Sequence, residues 1–458
     1  MGDKLTYNVV TEFGADNTGR DDSSPALARA VLKLAGHMGS ALYFPAGIYK
    51  VGRPLVIPRA DPNAPGDPKR FASNVTLFGD GSDATTLLFT GLAPTEHGIR
   101  TDITAFGLRD IKLTTEGSIR PDQATIRAQS ADDMVGYNAG AGLLFQGEGN
   151  LRVRDVTFSG FMTGLHVDNA HGAQVWVTDS NFNNNLIYGL LVENLAGNAF
   201  FKSLEITGHV PVAGEPDTAR DQRAVGIRIN RGDGYLISDC IISGCGKAAL
   251  MLKPTARTAT LMSPEDRFKV LYVMLTSCQF DLPFNTVGVA EADPSFGSAV
   301  IVDGSLAAAG NPNEVEHVFR VNFTNCTATA ASSNGFYFRQ CSRVVLTGCS
   351  AFVNQAHGLR ADAPCPHLSI TGGQYYNNSR AQPGTHDGIY LGPGVTDFLI
   401  SSVKAGRAGG EQQRFGINAS SPTNDRYSIT GSEALGYPNG AGINAQGGPS
   451  RVVAGNLL

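Results

Sequence analysis

From residue 150 onward one short theme recurs, and it restricts the fold more than any other feature of this chain. A hydrophobic segment ends in a small polar pair and a variable residue: LRVRDV, QVWVTDS, FFKSL, YLISDC, VMLTSC, VNFTNC, VVLTGC, LSITGG, FLISSV, YSITGS and VVAGN. The last residues of these segments are Val156, Ser180, Leu204, Cys240, Cys278, Cys326, Cys349, Gly373, Val403, Ser432 and Asn456. They are separated by 24, 24, 36, 38, 48, 23, 24, 30, 29 and 24 residues. A base period of 23–24 with occasional longer steps means one structural coil per step, with insertions in the loops. Three residues before each anchor stand Val153, Val177, Phe201, Ile237, Leu275, Phe323, Leu346, Ile370, Ile400, Ile429 and Val453, all apolar. The next position is mostly Thr or Ser, so the alternation has period two and the segments are strands. Coils of this kind bury their inward residues only on their neighbours, and the result is a parallel β-helix.

A second set of strands precedes the anchors, in GLLFQ, GLHVD, GLLVE, GIRIN, ALMLK, AVIVD, GFYFR, GLRAD, GIYLG, GINAS and GINAQ. Nine of them open on glycine: Gly142, Gly164, Gly189, Gly226, Gly335, Gly358, Gly388, Gly416 and Gly442. A recurrent glycine suits a coil corner that needs positive φ or a close backbone approach. Each coil therefore has two strands and room for a third, short one. Eleven coils at roughly 4.8 Å each give a rod of about 50 Å.

Composition narrows the class. Gly accounts for 55 of 458 residues, hydrophobic residues are 42% and the net charge is −5. That is enough apolar material for a core, which excludes wholesale disorder. The balance is not basic, which argues against nucleic acid as the partner. No apolar run is long enough to span a membrane, and MGDKLTYNVV lacks the apolar centre of a signal peptide. The seven cysteines form no CxxC pair, which removes zinc-knuckle and thioredoxin readings. Cys240, Cys278, Cys326 and Cys349 share the anchor column, so they are expected to stack as an interior ladder of small buried residues.

The N-terminal stretch differs. NVVTEFGADNTGRDDSSPALARAVLKLAG reads as a strand, a Gly-Asp loop and a helix, with Ser24 as N-cap, Pro25 in the first turn and Gly36 at the C-terminal cap. Leu27, Ala30, Val31 and Leu34 give that helix one apolar face, fit to cover the exposed end of a coil stack. The set TEFGADNTGRDDSSPALARAV, ALYFPAGIYKV and NVTLFGDGSDATTLLF resembles the N-terminal signature of the pectate-lyase-superfamily β-helix proteins, over residues 6–90. That group holds phage tailspike depolymerases, glycoside hydrolases, polysaccharide lyases and alginate epimerase modules. The resemblance implies a long-chain carbohydrate substrate without choosing the reaction. It also implies structural roles for Asp16, Asp21, Asp22 and the FPAGIY segment. The polygalacturonase motifs are absent, and the epimerase Asp-Pro-His-Glu stretch has only a loose counterpart in GLHVDNAHGAQ.

The expected architecture is all-β: a single-stranded right-handed parallel β-helix of about eleven coils with an N-terminal capping helix. Residues 1–90 form the cap and first coils, and 91–458 continue the same domain. Strand polarity then yields two outward columns. The first runs Leu144, His166, Leu191, Arg228, Met251, Ile301, Tyr337, Arg360, Tyr390, Asn418 and Asn444. The second runs Gln146, Asp168, Glu193, Asn230, Lys253, Asp303, Arg339, Asp362, Gly392, Ser420 and Gln446. Insertions 209–224, 254–270, 282–297 and 304–317 are expected to wall this face into a groove, bringing His209, Glu215, Asp217, Asp221, Glu265, Asp266, Glu291, Asp293, Glu314 and Glu316.

Asp168 and Glu193 sit in one column of adjacent coils, where strands lie about 4.8 Å apart, within reach of the roughly 5–5.5 Å of a retaining glycosidase pair. Lyase chemistry instead needs a cation and a base, for which the face offers Arg228, Lys253, Arg339, Arg360 and His166. The catalytic candidates are thus Asp168, Glu193, His166, Arg228 and Lys253. The substrate-binding candidates are Trp176, Tyr188, Asn230, Tyr337, Arg339, Arg360 and Tyr390. Calcium held by Asp168 and Glu193 is the one cofactor this set admits. His37, His97, His357 and His386 read as surface or turn residues.

The expected function is a depolymerase, hydrolase or lyase, of a bacterial or algal polysaccharide, secreted or on a virion surface. The alternatives are a non-catalytic glycan-binding or structural tailspike and a uronan epimerase. The apolar outward residues Leu144, Leu191, Met251 and Ile301 suggest a contact between copies, as in a homotrimer.

Overall fold

The computed structural model describes residues 6–34, 39–58, 74–116, 140–169, 172–208, 224–255, 270–281, 294–305, 317–406, 412–436 and 442–457. The chain divides into two compact units, Met1–His209 and Val210–Leu458, and each is a right-handed parallel β-helix.

In the first unit the anchor strands pair in parallel from residue 6 onward. One interior ladder runs Tyr7, Leu42, Leu77, Leu108, Val153, Val177 and Phe201. All seven side chains are buried. Each such residue contributes about 1.5–3 kcal/mol on leaving water, but only because the coils on either side supply the apolar surface. The glycine-led sheet of this unit comprises Leu55–Ile57, Ile99–Thr101, Ala141–Phe145, Thr163–Asn169 and Tyr188–Leu195.

A short helix α1 (Val9–Phe13) is capped by Asn8, whose Oδ1 accepts the Val10 and Thr11 amides. A second helix α2 (Ser24–Leu34) buries Ala26, Leu27, Ala30 and Leu34 and packs on α1 and on Leu55–Ile57, the first strand of the glycine-led sheet. The apolar face expected of α2 therefore meets an otherwise unpaired sheet edge. Between them Asp16 accepts the amides of Thr18, Arg20 and Asp21, which hold its carboxyl far below the ordinary range. Its geometry is that of a loop-forming residue.

In the second unit each coil has three strands. Anchor strands such as Val318–Thr324 are followed by short ones such as Thr327–Thr329, and glycine-led strands such as Phe336–Arg339 close the turn. The corner after the anchor strand is where positive φ is required. It falls on Asp239, Ser277, Asn325 and Ser402 at 56°, 54°, 50° and 55°, residues whose short polar side chains tolerate the left-handed region. The glycine column serves the other purpose. A Cβ on Gly358 would lie 2.6 Å from the Gly388 carbonyl and 2.7 Å from Asn378 Nδ2, so these glycines allow close packing between coils. The cysteine ladder forms as its spacing implies: Cys240, Cys278, Cys326 and Cys349 are buried, and each thiol donates to the carbonyl two residues earlier.

Candidate functional site

Three of the five catalytic candidates belong to the first unit. His166 and Asp168 lie on Thr163–Asn169 and Glu193 on Tyr188–Leu195. Leu144, His166 and Leu191 are in register, as are Val167 and Val192. The pairing then slips, and Asp168 stands opposite Asn194. One extra residue, Glu193, is accommodated at a bulge, which re-aims its side chain. The expectation of Asp168 and Glu193 side by side in one column is corrected accordingly. Glu193 Oε2 lies 2.9 Å from His166 Nε2, and both side chains are buried.

With Glu193 ionised, His166 Nε2–H donates and the lone pair sits on Nδ1, which has no hydrogen-bond partner among the described residues. Asp168 is half-buried and accepts from Gln146 Nε2 at 3.4 Å. Burial and then the nearby Glu193 charge push its carboxyl above the ordinary range, against the opposing influence of His166 and Gln146. A carboxyl held partly protonated beside a buried carboxylate–imidazole pair is suited to proton transfer.

Sequence reasoning passed over His97. Its Nδ1 accepts the Ala141 amide at 3.0 Å, so its proton resides on Nε2. Burial, then the charges of His166 and Arg100, lower its pKa to about 4, leaving a neutral donor beside the acid–base pair. A signal was available. The outward column continues one coil back to Arg100, opposite Leu144, and His97 opens that coil.

The residues here do not form a calcium site. Glu193 Oε2 is engaged by His166, and among the described residues no group of three or more His, Cys, Asp or Glu is arranged to hold a metal. Calcium calls for six to eight oxygens.

Arg228 and Lys253 lie in the second unit, where the first outward column runs Arg228, Met251, Ile301, Tyr337, Arg360, Tyr390 and Asn418 in register. Asp303, Arg339 and Asp362 form the second. Arg228 is buried and donates from Nε to Asn230 Oδ1 at 2.8 Å. Lys253 Nζ lies 3.4 Å from the buried Asp303, which Arg339 clamps through Nη2 at 2.6 Å and Nε at 3.1 Å. Tyr337 OH donates to Asp362 at 2.9 Å, and Arg360 Nε lies 3.1 Å from both oxygens of the same carboxylate. These cations are already committed to carboxylates.

The face expected to be an open groove is buried through much of its length in both units. Every residue of Tyr188–Leu195 is buried, as is every residue of Val225–Ile229, Ala248–Leu252 and Val300–Asp303. Leu144, Leu191, Met251 and Ile301 are buried too, so their apolar character gives no sign of a trimer contact. Tyr188 and Tyr337 are buried and present no ring face at the surface. Trp176 lies on the anchor sheet with Arg152 over one side at 5.2 Å and Phe200 stacked on it at 5.7 Å. With its ring stacked into that ladder, it lacks a free face for a sugar. Asp168, Arg339, Arg360 and Tyr390 remain half-exposed. The acids and His209 of the four insertions fall outside the described residues, as does His37.

Residues 6–200 match the family described as rhamnogalacturonase A/epimerase, pectate lyase-like. The resemblance read from residues 6–90 is thus one to pectate-lyase-like parallel β-helix proteins, and it extends well past the N-terminal signature. No curated protein matches the sequence. Among solved structures, the N-terminal fragment of bacteriophage Phi29 gene product 12 is similar at 13% identity and TM-score 0.60, over 98% of this chain and 71% of that one. Tailspike protein 3 of bacteriophage CBA120 is similar at 12% identity and TM-score 0.50, over 98% and 61%. At such identities the likeness speaks for the fold.

Proposed function

From this pectate-lyase-like match and the parallel β-helix fold, we propose that the protein is a polysaccharide depolymerase in which Asp168 is the proton donor to the leaving glycosidic oxygen. The observation that carries the reading is the half-buried Asp168 carboxyl, raised by burial and by Glu193, beside the buried His166–Glu193 pair. A general acid must be protonated at working pH and within reach of its substrate. Asp168 meets the first condition through its surroundings and the second through its exposure. His166 and Glu193 lie behind it and set its charge. His97 Nε2–H supplies a neutral donor to negative charge developing on the sugar.

A retaining hydrolysis needs a second carboxylate free to attack the anomeric carbon, and Glu193 is turned toward His166 instead. The geometry therefore favours β-elimination on a uronate, with Asp168 protonating the departing oxygen. Such a protein works outside the cell or on a virion, where its substrate is found. Incubation with a panel of capsular and algal polysaccharides, followed by chain length and by the ultraviolet absorbance of an unsaturated product, tests the reading. Shortening without that absorbance rejects elimination, and no shortening of any chain rejects the enzyme.

The second unit favours a second reading, a glycan-binding spike without chemistry. Its charged column is locked into mutual ion pairs, which suits recognition better than proton transfer. Binding without any shortening is the outcome that selects it.

A further inference from the structure

The second unit carries a cluster that the reaction proposed above does not use. His357 is buried, and its Nδ1 accepts the Asp387 amide at 2.9 Å. The proton of its neutral ring is thereby placed on Nε2, 3.4 Å from His386 Nδ1. Burial is the foremost influence keeping both rings in the neutral form. His386 therefore accepts at Nδ1 and carries its own proton on Nε2. Tyr390 stacks on His357 with centroids 4.8 Å apart, and Arg360 lies over Tyr390 at 5.8 Å. Arg414 binds Asp387 through Nε at 3.0 Å and Nη2 at 2.8 Å.

The acids of this ladder face inward and the cations outward. Asp303 and Asp387 are 0% exposed, whereas the side chains of Arg360 and Arg414 are 28% and 42% exposed. Lys253, Arg339, Arg360 and Arg414 stand against Asp303, Asp362 and Asp387, so the cations outnumber the carboxylates by one. Among the described residues, His386 Nε2, Tyr390 OH and Arg414 Nη1 have no hydrogen-bond partner. The half-exposed groups are thus donors with no acceptor. Guanidinium groups held in place by a first carboxylate keep further N–H donors for a second.

We propose that Arg360, His386, Tyr390 and Arg414 form a recognition site for the carboxylate of an acidic sugar. The site extends the reading of the protein as polysaccharide-acting by naming the charge of the polymer, and it rests on that reading. Neutral glucans offer no group that would use the outward positive charge.

The test uses the full chain and oligosaccharides of polygalacturonate, alginate and hyaluronan, each beside its carboxyl-reduced neutral counterpart, with affinity measured by calorimetry. At least one acidic oligosaccharide should bind, and reduction should weaken it tenfold or more. Tyr390→Phe removes one oxygen and His386→Phe keeps a ring in place. Each should weaken binding by about tenfold, the scale of one hydrogen bond to a charged group. Arg414→Gln should cost more, but it also uncovers the buried Asp387, so the first two variants decide. Equal affinity for the reduced chains, unchanged affinity in both Tyr390→Phe and His386→Phe, or no acidic chain bound would each overturn the proposal. Acidic chains bound and left uncut would end the depolymerase reading alone, and neutral chains cut without acidic binding would end this one alone.

Discussion

The same outward columns are put to opposite uses in the two units. In the first, the column holds Asp168 with its carboxyl pushed up by burial and by Glu193. In the second, it holds Asp303, for which burial acts in the same direction but the Arg339 hydrogen bond and the Lys253 charge prevail, so the carboxyl is held below its ordinary range. Both aspartates occupy the last outward position of a glycine-led strand. The difference lies in the neighbouring coil, where Glu193 meets one and Arg339 the other. Position in the repeat sets where a side chain points, whereas the next coil decides what it can do.

The largest effect should come from removing the centre of the second-unit ladder. Asp303→Ala leaves Lys253 and Arg339 side by side without their shared carboxylate, and breaking a buried pair costs about 3–5 kcal/mol. Chemical denaturation should show a loss of that order. A change within about 0.5 kcal/mol, the usual effect of a surface substitution, would mean that the ladder is not structural.

Asp168→Asn should lower turnover by about a hundredfold or more while leaving the protein as stable as before or more so at neutral pH, since it replaces a carboxyl that resists ionisation. Near-normal turnover in this variant would shift the chemistry to the acids of the insertions.

The pH dependences should run in opposite directions. Asp303, lowered in the fold, contributes stability that is present above the ordinary carboxylate range near pH 4 and lost as pH falls through its own lower value. Asp168, raised in the fold, contributes most below that range and less as pH rises through its raised value. Melting curves from pH 3 to 7 should therefore show Asp303→Ala flattening the acid side and Asp168→Asn flattening the neutral side. Parallel curves for both variants would contradict the contrast between the units.

His97 offers a smaller test. With its pKa lowered to about 4, its ring resonances should not titrate between pH 5 and 8, and a midpoint near the ordinary histidine value of about 6.5 would remove it from the buried cluster. Smallest of all, Arg152→Ala should cost about 0.5–1 kcal/mol, the worth of one exposed cation over an aromatic ring. It should leave polysaccharide affinity unchanged, and a clear loss of affinity would return the Trp176 ladder to the binding surface.

Much of the architecture was legible in the chain because a β-helix is a local repeat. The apolar residue three before each anchor had to be interior, and the ladder from Val153 to Phe201 is buried as that period demands. The cysteine column followed from the same arithmetic. One physical role was exchanged: glycine was expected to serve either positive φ or close packing, and the structure gives it the packing and gives the left-handed corner to Asp, Ser and Asn.

The candidate site was legible only as a set of outward positions. Alternation places His166 and Asp168 on one face, but a single extra residue at Glu193 breaks the register, and no period in the sequence announces a bulge. Burial was equally hidden, because an outward position in a coil is exposed only if nothing else covers it, and Tyr188, Arg228 and Ile301 are covered. The sequence by itself determined the coil, its interior and the direction of each side chain, since those depend on neighbours along the strand and on a fixed period. Only the tertiary structure decided the partner and the protonation of each outward group, since hydrogen bonds such as His166 to Glu193 and Arg339 to Asp303 join residues 27 and 36 positions apart. Their strength depends on ångström-scale placement between coils, which a period of 23–24 residues does not encode.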